Sequence, residues 1–249
     1  MLTAIIQARM TSTRLPGKVL KEVLGRPLLS YLFERLRRVK EIEQIVLATT
    51  TNEEDDSIVA LCEKERVFVY RGSEHDVLDR YYQAAQMYDA DPIMRVTADC
   101  PLIDVQVFQL AIQIFQSGQF DYIYTGSSFS EGLDCEIFSF EALSRAIQDA
   151  KLKSEREHIT LYVRNHPELF RIKILENASD DSRYRITVDE PEDFEVVRTI
   201  VEGLYPNNHN FNIEHIKKFL NNRPEIFSIN SSIIRNEGLL TSLKAESNS

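Results

Sequence analysis

Short apolar runs rich in β-branched residues punctuate the chain at Thr3 to Gln7, Ile45 to Thr49, Val67 to Tyr70, Ile93 to Val96 and Tyr122 to Tyr124. Each is the length of a strand buried on both faces. Between them the period changes to that of helices: Leu28, Leu29, Leu32, Leu36 and Val39 fall on one stripe, as do Val77, Leu78, Tyr81, Ala85 and Tyr88. The acids Glu53, Glu54, Asp55 and Asp56 stand where a second helix begins, and are read as a solvated helix start. Strand and helix alternating at this spacing predict an α/β fold, a Rossmann-like, mostly parallel sheet covered on both faces. Such sheets bind ligands at the carboxyl ends of their strands.

From Gly126 the rhythm changes. Cys135 to Phe140 and Arg171 to Leu175 read as strands, with helices predicted over Phe140 to Ala150 and Glu155 to Asn165. This α+β stretch, 126–182, is expected to be an insertion that covers the site or meets a second copy of the chain. A last strand, Tyr184 to Val188, leads through Pro191, Glu192 and Asp193 into a helix carrying Phe194, Val197, Ile200 and Val201. Residues 237–249 are polar and expected to fray. The organisation predicted is one domain over 1–236 with a polar tail.

Composition narrows the class. The chain has 249 residues, 43% of them hydrophobic, which suffices for one α/β core with an elaboration. No run of about 18 apolar residues occurs and no leader pattern opens the sequence, so a cytoplasmic protein without membrane insertion is expected. Cys62, Cys100 and Cys135 form no CxxC pair and suit free, packed thiols. The net charge of −10 excludes broad attraction to nucleic acid. Its distribution is uneven: residues 1–40 hold nine Lys or Arg against only Glu22 and Glu34. A basic entry on an acidic protein points to one compact anion, such as a polyphosphate.

Three of these basic residues lie in the loop after the first strand, Ala8-Arg9-Met10-Thr11-Ser12-Thr13-Arg14-Leu15-Pro16-Gly17-Lys18. Backbone N–H groups and hydroxyls can surround phosphate oxygens there, with Arg9, Arg14 and Lys18 offsetting charge as pyrophosphate leaves. No GxGxxG or Walker A pattern is present, which argues against a Rossmann dehydrogenase or a P-loop kinase. Two later strands end in acids followed closely by proline, Asp99-Cys100-Pro101 and Asp189-Glu190-Pro191. Carboxylates at that edge suit Mg²⁺, which takes few protein ligands besides phosphates and water. Arg71 to Arg80 also follow a strand. In this stretch Ser73 or Asp76 caps the next helix, Gly72 and Ser73 can flank a nucleotide base, Arg80 turns inward, and His75 lies on the surface.

Taken in order, several motifs resemble those of the cytidylyltransferase-like family of spore coat polysaccharide biosynthesis protein F, which is related to the acylneuraminate and 3-deoxy-manno-octulosonate cytidylyltransferases. They are Ile6 to Lys18, Asp76 to Tyr81, Arg95 to Asp104, Gly132-Leu133-Asp134-Cys135-Glu136, Arg156-Glu157-His158 and Thr187 to Phe194. The resemblance implies a nucleotide-diphospho-sugar transferase fold and Mg²⁺ shared by Asp99 and Asp189. It also implies a homodimer built through 126–182, with Arg156, Glu157 and His158 near the acceptor. The first loop departs from the sugar-acid enzymes, having Met10-Thr11-Ser12-Thr13 where they carry a Gly-Ser-Lys run.

The reading is therefore CTP-dependent cytidylyl transfer to a sugar, sugar acid or related small acceptor in surface polysaccharide synthesis. Arg9, Lys18 and Asp99 are the catalytic candidates, and Ala8, Arg9, Ser12, Thr13, Arg14, Lys18, Gly72, Ser73 and Arg80 the nucleotide contacts. One rival is a GT-A-like glycosyltransferase. Such enzymes place Asp-x-Asp after a strand, whereas Asp89-Ala90-Asp91 precedes one here. The other is a binding module that no longer turns over.

Overall fold

The computed structural model of the chain describes residues 1–247. It begins with β1 (Thr3–Gln7), a short hairpin of β2 (Glu22–Val23) and β3 (Arg26–Pro27), and α1 (Leu28–Leu36). β4 (Gln44–Thr50), α2 (Asp56–Glu65), β5 (Phe68–Gly72), α3 (Val77–Met87), β6 (Ile93–Thr97) and α4 (Val105–Phe115) follow in alternation. β7 (Tyr122–Thr125) and β8 (Glu136–Phe138) come next, then α5 (Phe140–Asp149), α6 (Lys153–Glu157), α7 (Leu161–Asn165) and β9 (Ile172–Leu175). The chain finishes with α8 (Pro191–Leu204), α9 (Ile213–Asn221), α10 (Pro224–Phe227) and α11 (Glu237–Ser247).

Seven strands form one sheet in the order β5-β4-β1-β6-β8-β7-β9, parallel except for β8, which runs against both its neighbours. The predicted mostly parallel α/β sheet is observed, and the 126–182 stretch contributes β8 and β9 to it. Side chains alternate across β1 as the two-residue period demands. Ala4 and Ile6 join Leu29, Leu32 and Phe33 of α1, Ile58 of α2 and Phe108 of α4. Ile5 joins Leu78 and Tyr81 of α3 and Leu143 of α5. A third cluster packs α8 and α9 against Tyr184, Ile186 and Val188. All three cysteines are free and buried within this packing.

After β5 the chain crosses to the other side of β1 to form β6, so the strand order reverses at β1. A crevice opens at such a reversal, outside the carboxyl ends of the strands. Gln7 and Thr97, the last residues of β1 and β6, lie side by side in register. The loop after β1 and the Asp99 turn therefore emerge next to each other.

Three predicted elements differ. Tyr184 to Val188 is extended but makes only one isolated bridge, Arg185 with Glu131, because it threads between two loops rather than beside a strand. Its amides reach Glu131 O at 2.8 Å and Asp99 O at 2.8 Å. The helix expected over Glu155 to Asn165 is two short helices, α6 and α7. The chain turns between them where Leu161 N bonds His158 O at 2.7 Å, and Thr160 is buried beside Tyr122 and Glu136. The tail expected to fray forms α11. It is held because Glu246 accepts from the Ser154 hydroxyl at 2.6 Å and the Ser154 amide at 3.2 Å.

Candidate active site

The loop after β1 is shaped from both ends. Gly17 adopts φ 68°, a left-handed conformation that glycine reaches without Cβ strain, and its N–H returns to Met10 O at 2.9 Å. At the other end the Met10 amide donates to Asp55 Oδ1 at 2.7 Å. Asp55 is fully buried and also accepts from the Thr49 hydroxyl at 2.8 Å and the Thr50 hydroxyl at 2.5 Å. Burial raises its carboxyl pKa, but the hydrogen bonds from Thr50, Met10 and Thr49 outweigh that and hold it below the usual value. The reading of the acidic cluster as a solvated helix start fails at this one residue. Asp55, Ile58 and Cys62 are all buried, at the three- and four-residue spacing of a helix's inner face, which places Asp55 on the core side.

The loop thus closes so that Lys18 reaches the two strand-end acids. Its Nζ lies 3.0 Å from Asp99 Oδ2 and 2.8 Å from Asp189 Oδ1. Burial alone would lower the ammonium's pKa, but the two carboxylates outweigh it and raise the value above 10.5. Reciprocally, burial pushes Asp99 up, while Lys18 and the Thr97 hydroxyl bring it down to about 2. Asp189 is set by a buried network. Arg185 Nη2 lies 3.3 Å from Asp189 Oδ2, Arg185 Nε donates to Asp193 Oδ1 at 2.8 Å, and Arg185 also pairs with Glu131. Asp193 in turn accepts the Asp189 and Glu190 amides, both at 3.0 Å. Sequence reasoning took Asp193 for a helix start only. Its second role depends on Arg185, which no local pattern marks.

The remaining cations line the crevice's rim. Arg9 Nη1 is 3.4 Å from Glu74 Oε1, which also accepts from the Thr11 hydroxyl at 2.8 Å, tying the first loop to the turn after β5. Arg14 faces Asp189 and Glu190, each at 3.1 Å, and Glu237 at 2.9 Å. Ala8 is buried at the strand end, Ser12 half-buried and Thr13 exposed on the loop. Arg80 is turned inward, 1% exposed, and donates to Ser73 O at 2.6 Å while its Nε has no partner. Gly72 is close against it: a Cβ there would lie 2.8 Å from Tyr70 Cε1 and 3.1 Å from Arg80 Cγ. Asp76 caps α3 by accepting the Asp79 amide at 2.9 Å, and His75 is exposed.

Beside Asp99 and Asp189, and bounded also by Arg14 of the loop, lies a cavity of about 530 Å³, within the range of small-molecule sites. Its wall includes Arg95 of β6 and Arg164 of α7, which converge on Glu136 of β8. Arg95 Nη1 is 2.5 Å and Arg164 Nη2 3.4 Å from Glu136 Oε1, and Tyr122 donates to Glu136 Oε2 at 2.8 Å. Burial raises Glu136, but the two guanidiniums outweigh it and hold the carboxyl near 2. Two cations thus share one anion, and Arg95 Nε is buried with no partner. Of the three residues placed near the acceptor by resemblance, His158 lines this cavity. Arg156 instead pairs with Asp76 and donates to Ile147 O at 3.1 Å, and Glu157 accepts from the Ser242 hydroxyl at 3.1 Å.

A family model described as cytidylyltransferase matches residues 3–233. The chain belongs to the cytidylyltransferase family. Within this family its relatives include the spore coat polysaccharide biosynthesis protein SpsF of Bacillus subtilis (strain 168). It is 37% identical over 213 residues, 80% of this chain and 85% of that protein. The structure of a cytidylyltransferase from Leptospira borgpetersenii serovar Hardjo-bovis (strain JB197) superposes with a TM-score of 0.86 at 34% identity. The match covers 91% of this chain and 96% of that one. CMP:2-keto-3-deoxy-manno-octonic acid synthetase complexed with CTP shares the fold at a TM-score of 0.64, with 16% identity over 81% of this chain and 98% of its own. Of the segments that carry the resemblance, the first loop, the Asp99 turn and the Asp189 turn meet at the crevice.

Proposed function

We propose that the chain transfers the cytidylyl group of CTP to a small sugar acid in the synthesis of a surface polysaccharide, releasing pyrophosphate. The observation that carries the transfer step is the convergence of Lys18, Asp99 and Asp189 where the basic loop meets a cavity. The loop side takes the triphosphate. There Arg9, Arg14 and Lys18 face the phosphates, Ala8, Ser12 and Thr13 lend backbone and hydroxyl groups, and Gly72, Ser73 and Arg80 flank the base. The cavity side takes the acceptor, whose acid group meets Arg95 and Arg164, two guanidiniums that share the one carboxylate of Glu136.

An acceptor oxygen held in the cavity attacks the α-phosphorus in line as the bond to the pyrophosphate oxygen breaks, and the meeting of loop and cavity at Asp99 and Asp189 holds the two substrates together for that step. Lys18 and Arg9 stabilise the negative charge gathering on the departing phosphates. Asp99 and Asp189 fit a Mg²⁺ ion, since their carboxylates already converge on one cation, the Lys18 ammonium, and Mg²⁺ takes its remaining ligands from phosphate and water. When bound there, the ion supplies charge neutralisation at the phosphates.

The glycosyltransferase reading is not favoured, because Asp89 and Asp91 sit before β6, at the sheet end opposite Asp99. We keep a homodimer in the proposal, with β9 as the outer strand open to a second copy. No helix among the described residues is long and apolar enough to cross a membrane, which is compatible with a cytoplasmic place of work.

Thermal unfolding with each of the four nucleoside triphosphates, with and without Mg²⁺, tests the donor. At about a hundred times its Kd a ligand adds about 2.7 kcal/mol, or roughly 5–10 °C for a chain of this size. CTP with Mg²⁺ is expected to give that shift, and equal shifts from all four nucleotides contradict the choice of CTP.

A further inference from the structure

The family match ends at residue 233, yet the next six residues finish the acceptor cavity. Ile234, Asn236 and Leu239 all face into it. They are fixed there by a chain of polar contacts. Arg235 Nη1 donates to Ser127 O at 2.9 Å and Phe129 O at 2.7 Å, and its Nη2 lies 3.5 Å from Asp134 Oδ1. The Asn236 amide donates to Glu131 Oε1 at 3.1 Å, and Glu237 reaches Arg14 at 2.9 Å. Asn236 itself has φ 55°, the left-handed joint at which the chain turns into α11. Further along, the Ser242 hydroxyl meets His158 Nε2 at 3.1 Å. The segment is therefore not a loose appendage. It is pinned to residues that line the cavity.

Its chemistry also differs from that of the rest of the wall. Arg235 and Glu237 are engaged with protein groups, which leaves Ile234, 62% exposed, and Leu239 as its apolar groups toward the cavity, where Ile174 of β9 is also exposed. Exposed aliphatic side chains grouped on one wall of a mixed polar and charged cavity call for an apolar group on whatever enters.

We propose that residues 234–239 are the acceptor-selecting wall of this enzyme, and that they favour a sugar acid bearing an apolar substituent, such as an acyl group, over one carrying a hydroxyl there. The proposal rests on the assignment of the cavity to the acceptor. Residues common to the family handle CTP, and a segment outside the family match chooses what receives the cytidylyl group. Apolar contacts of this kind discriminate about tenfold or more between ligands.

The test uses two nine-carbon sugar acids identical except for one position, N-acetylneuraminate and its analogue with a hydroxyl in place of the N-acetyl group. Both pyrophosphate release from CTP and equilibrium binding of each sugar are followed. The parent is expected to prefer the N-acetyl compound by about tenfold. Ile234→Asn, at an exposed position that does not threaten folding, is expected to bring that ratio close to one. Its Kd for CTP should stay within about twofold of the parent's. An unchanged ratio in Ile234→Asn overturns the proposal, as does a parent that binds the two sugars equally or neither of them. A parallel loss of CTP affinity also overturns it, since the segment would then serve the nucleotide. Absence of pyrophosphate release with either sugar, when binding still shows the preference, counts instead against the transfer reaction and leaves the wall assignment standing.

Discussion

Lys18 is the residue on which the site turns, because one ammonium satisfies two carboxylates delivered by separate strands. The arrangement has a pH signature. Burial raises the Asp99 carboxyl and the neighbouring Lys18 more than offsets it, so the folded value is about 2 against an ordinary 3.8. A carboxyl depressed on folding contributes stability that is complete above its unfolded value and fades as pH falls toward the folded one. The melting temperature is therefore expected to drop between about pH 4 and pH 2, and Asp99→Asn to flatten that slope. Lys18 moves the other way, so its share persists below its ordinary 10.5 and fades only as pH rises beyond it. Asp99, Asp189 and Lys18 were legible from sequence because each follows a short apolar run or sits at a glycine turn. Arg185 and Glu131 were not. Their roles come from a pairing across 54 residues of chain, which no local pattern encodes.

At the scale of elements, the strands with parallel partners could be read from their apolar runs, to within a residue or two. Tyr184 to Val188 has the same composition but no strand beside it, so hydrophobicity marked it as buried without deciding that it forms a ladder. The loop after β1 shows the same limit from the other direction. Its composition announced a phosphate site, while the group that shapes it, Asp55, is one acid in a row of four. The spacing of Asp55 with Ile58 and Cys62 was the available signal. Asp55→Ala strands the Met10 amide and the Thr49 and Thr50 hydroxyls, and a buried donor left without a partner costs about 1–3 kcal/mol. A loss of about 3 kcal/mol in denaturant unfolding is expected. CTP affinity should fall at least tenfold, because the loop is no longer tied to α2. An unchanged affinity in the folded variant would show that Asp55 serves only the core.

At the scale of the molecule, the reversal of strand order at β1 explains why the loop and Asp99 meet although they are far apart in sequence, and the Val188 amide bonded to Asp99 O at 2.8 Å brings Asp189 beside them. The α/β alternation made this sheet readable, and with it the edge at which ligands bind. The cavity beyond Asp99 was not readable. It is assembled from β6, β7, β8, α7 and the start of α11, and the tail that completes it was taken for a frayed end because its composition is polar. Polar composition describes a surface, and one face of α11 is indeed a surface. The contacts of Ser242 and Glu246 are what hold its other face down. The proposed transfer from one bound molecule to another rests on a basic loop and a walled cavity that meet at two acids and share Arg14. The most direct test is pyrophosphate release from CTP with Mg²⁺ over a panel of sugar acids, comparing the parent with folded Asp99→Asn. A loss of about 10²-fold or more in kcat is predicted, and turnover equal to the parent's would contradict the assignment.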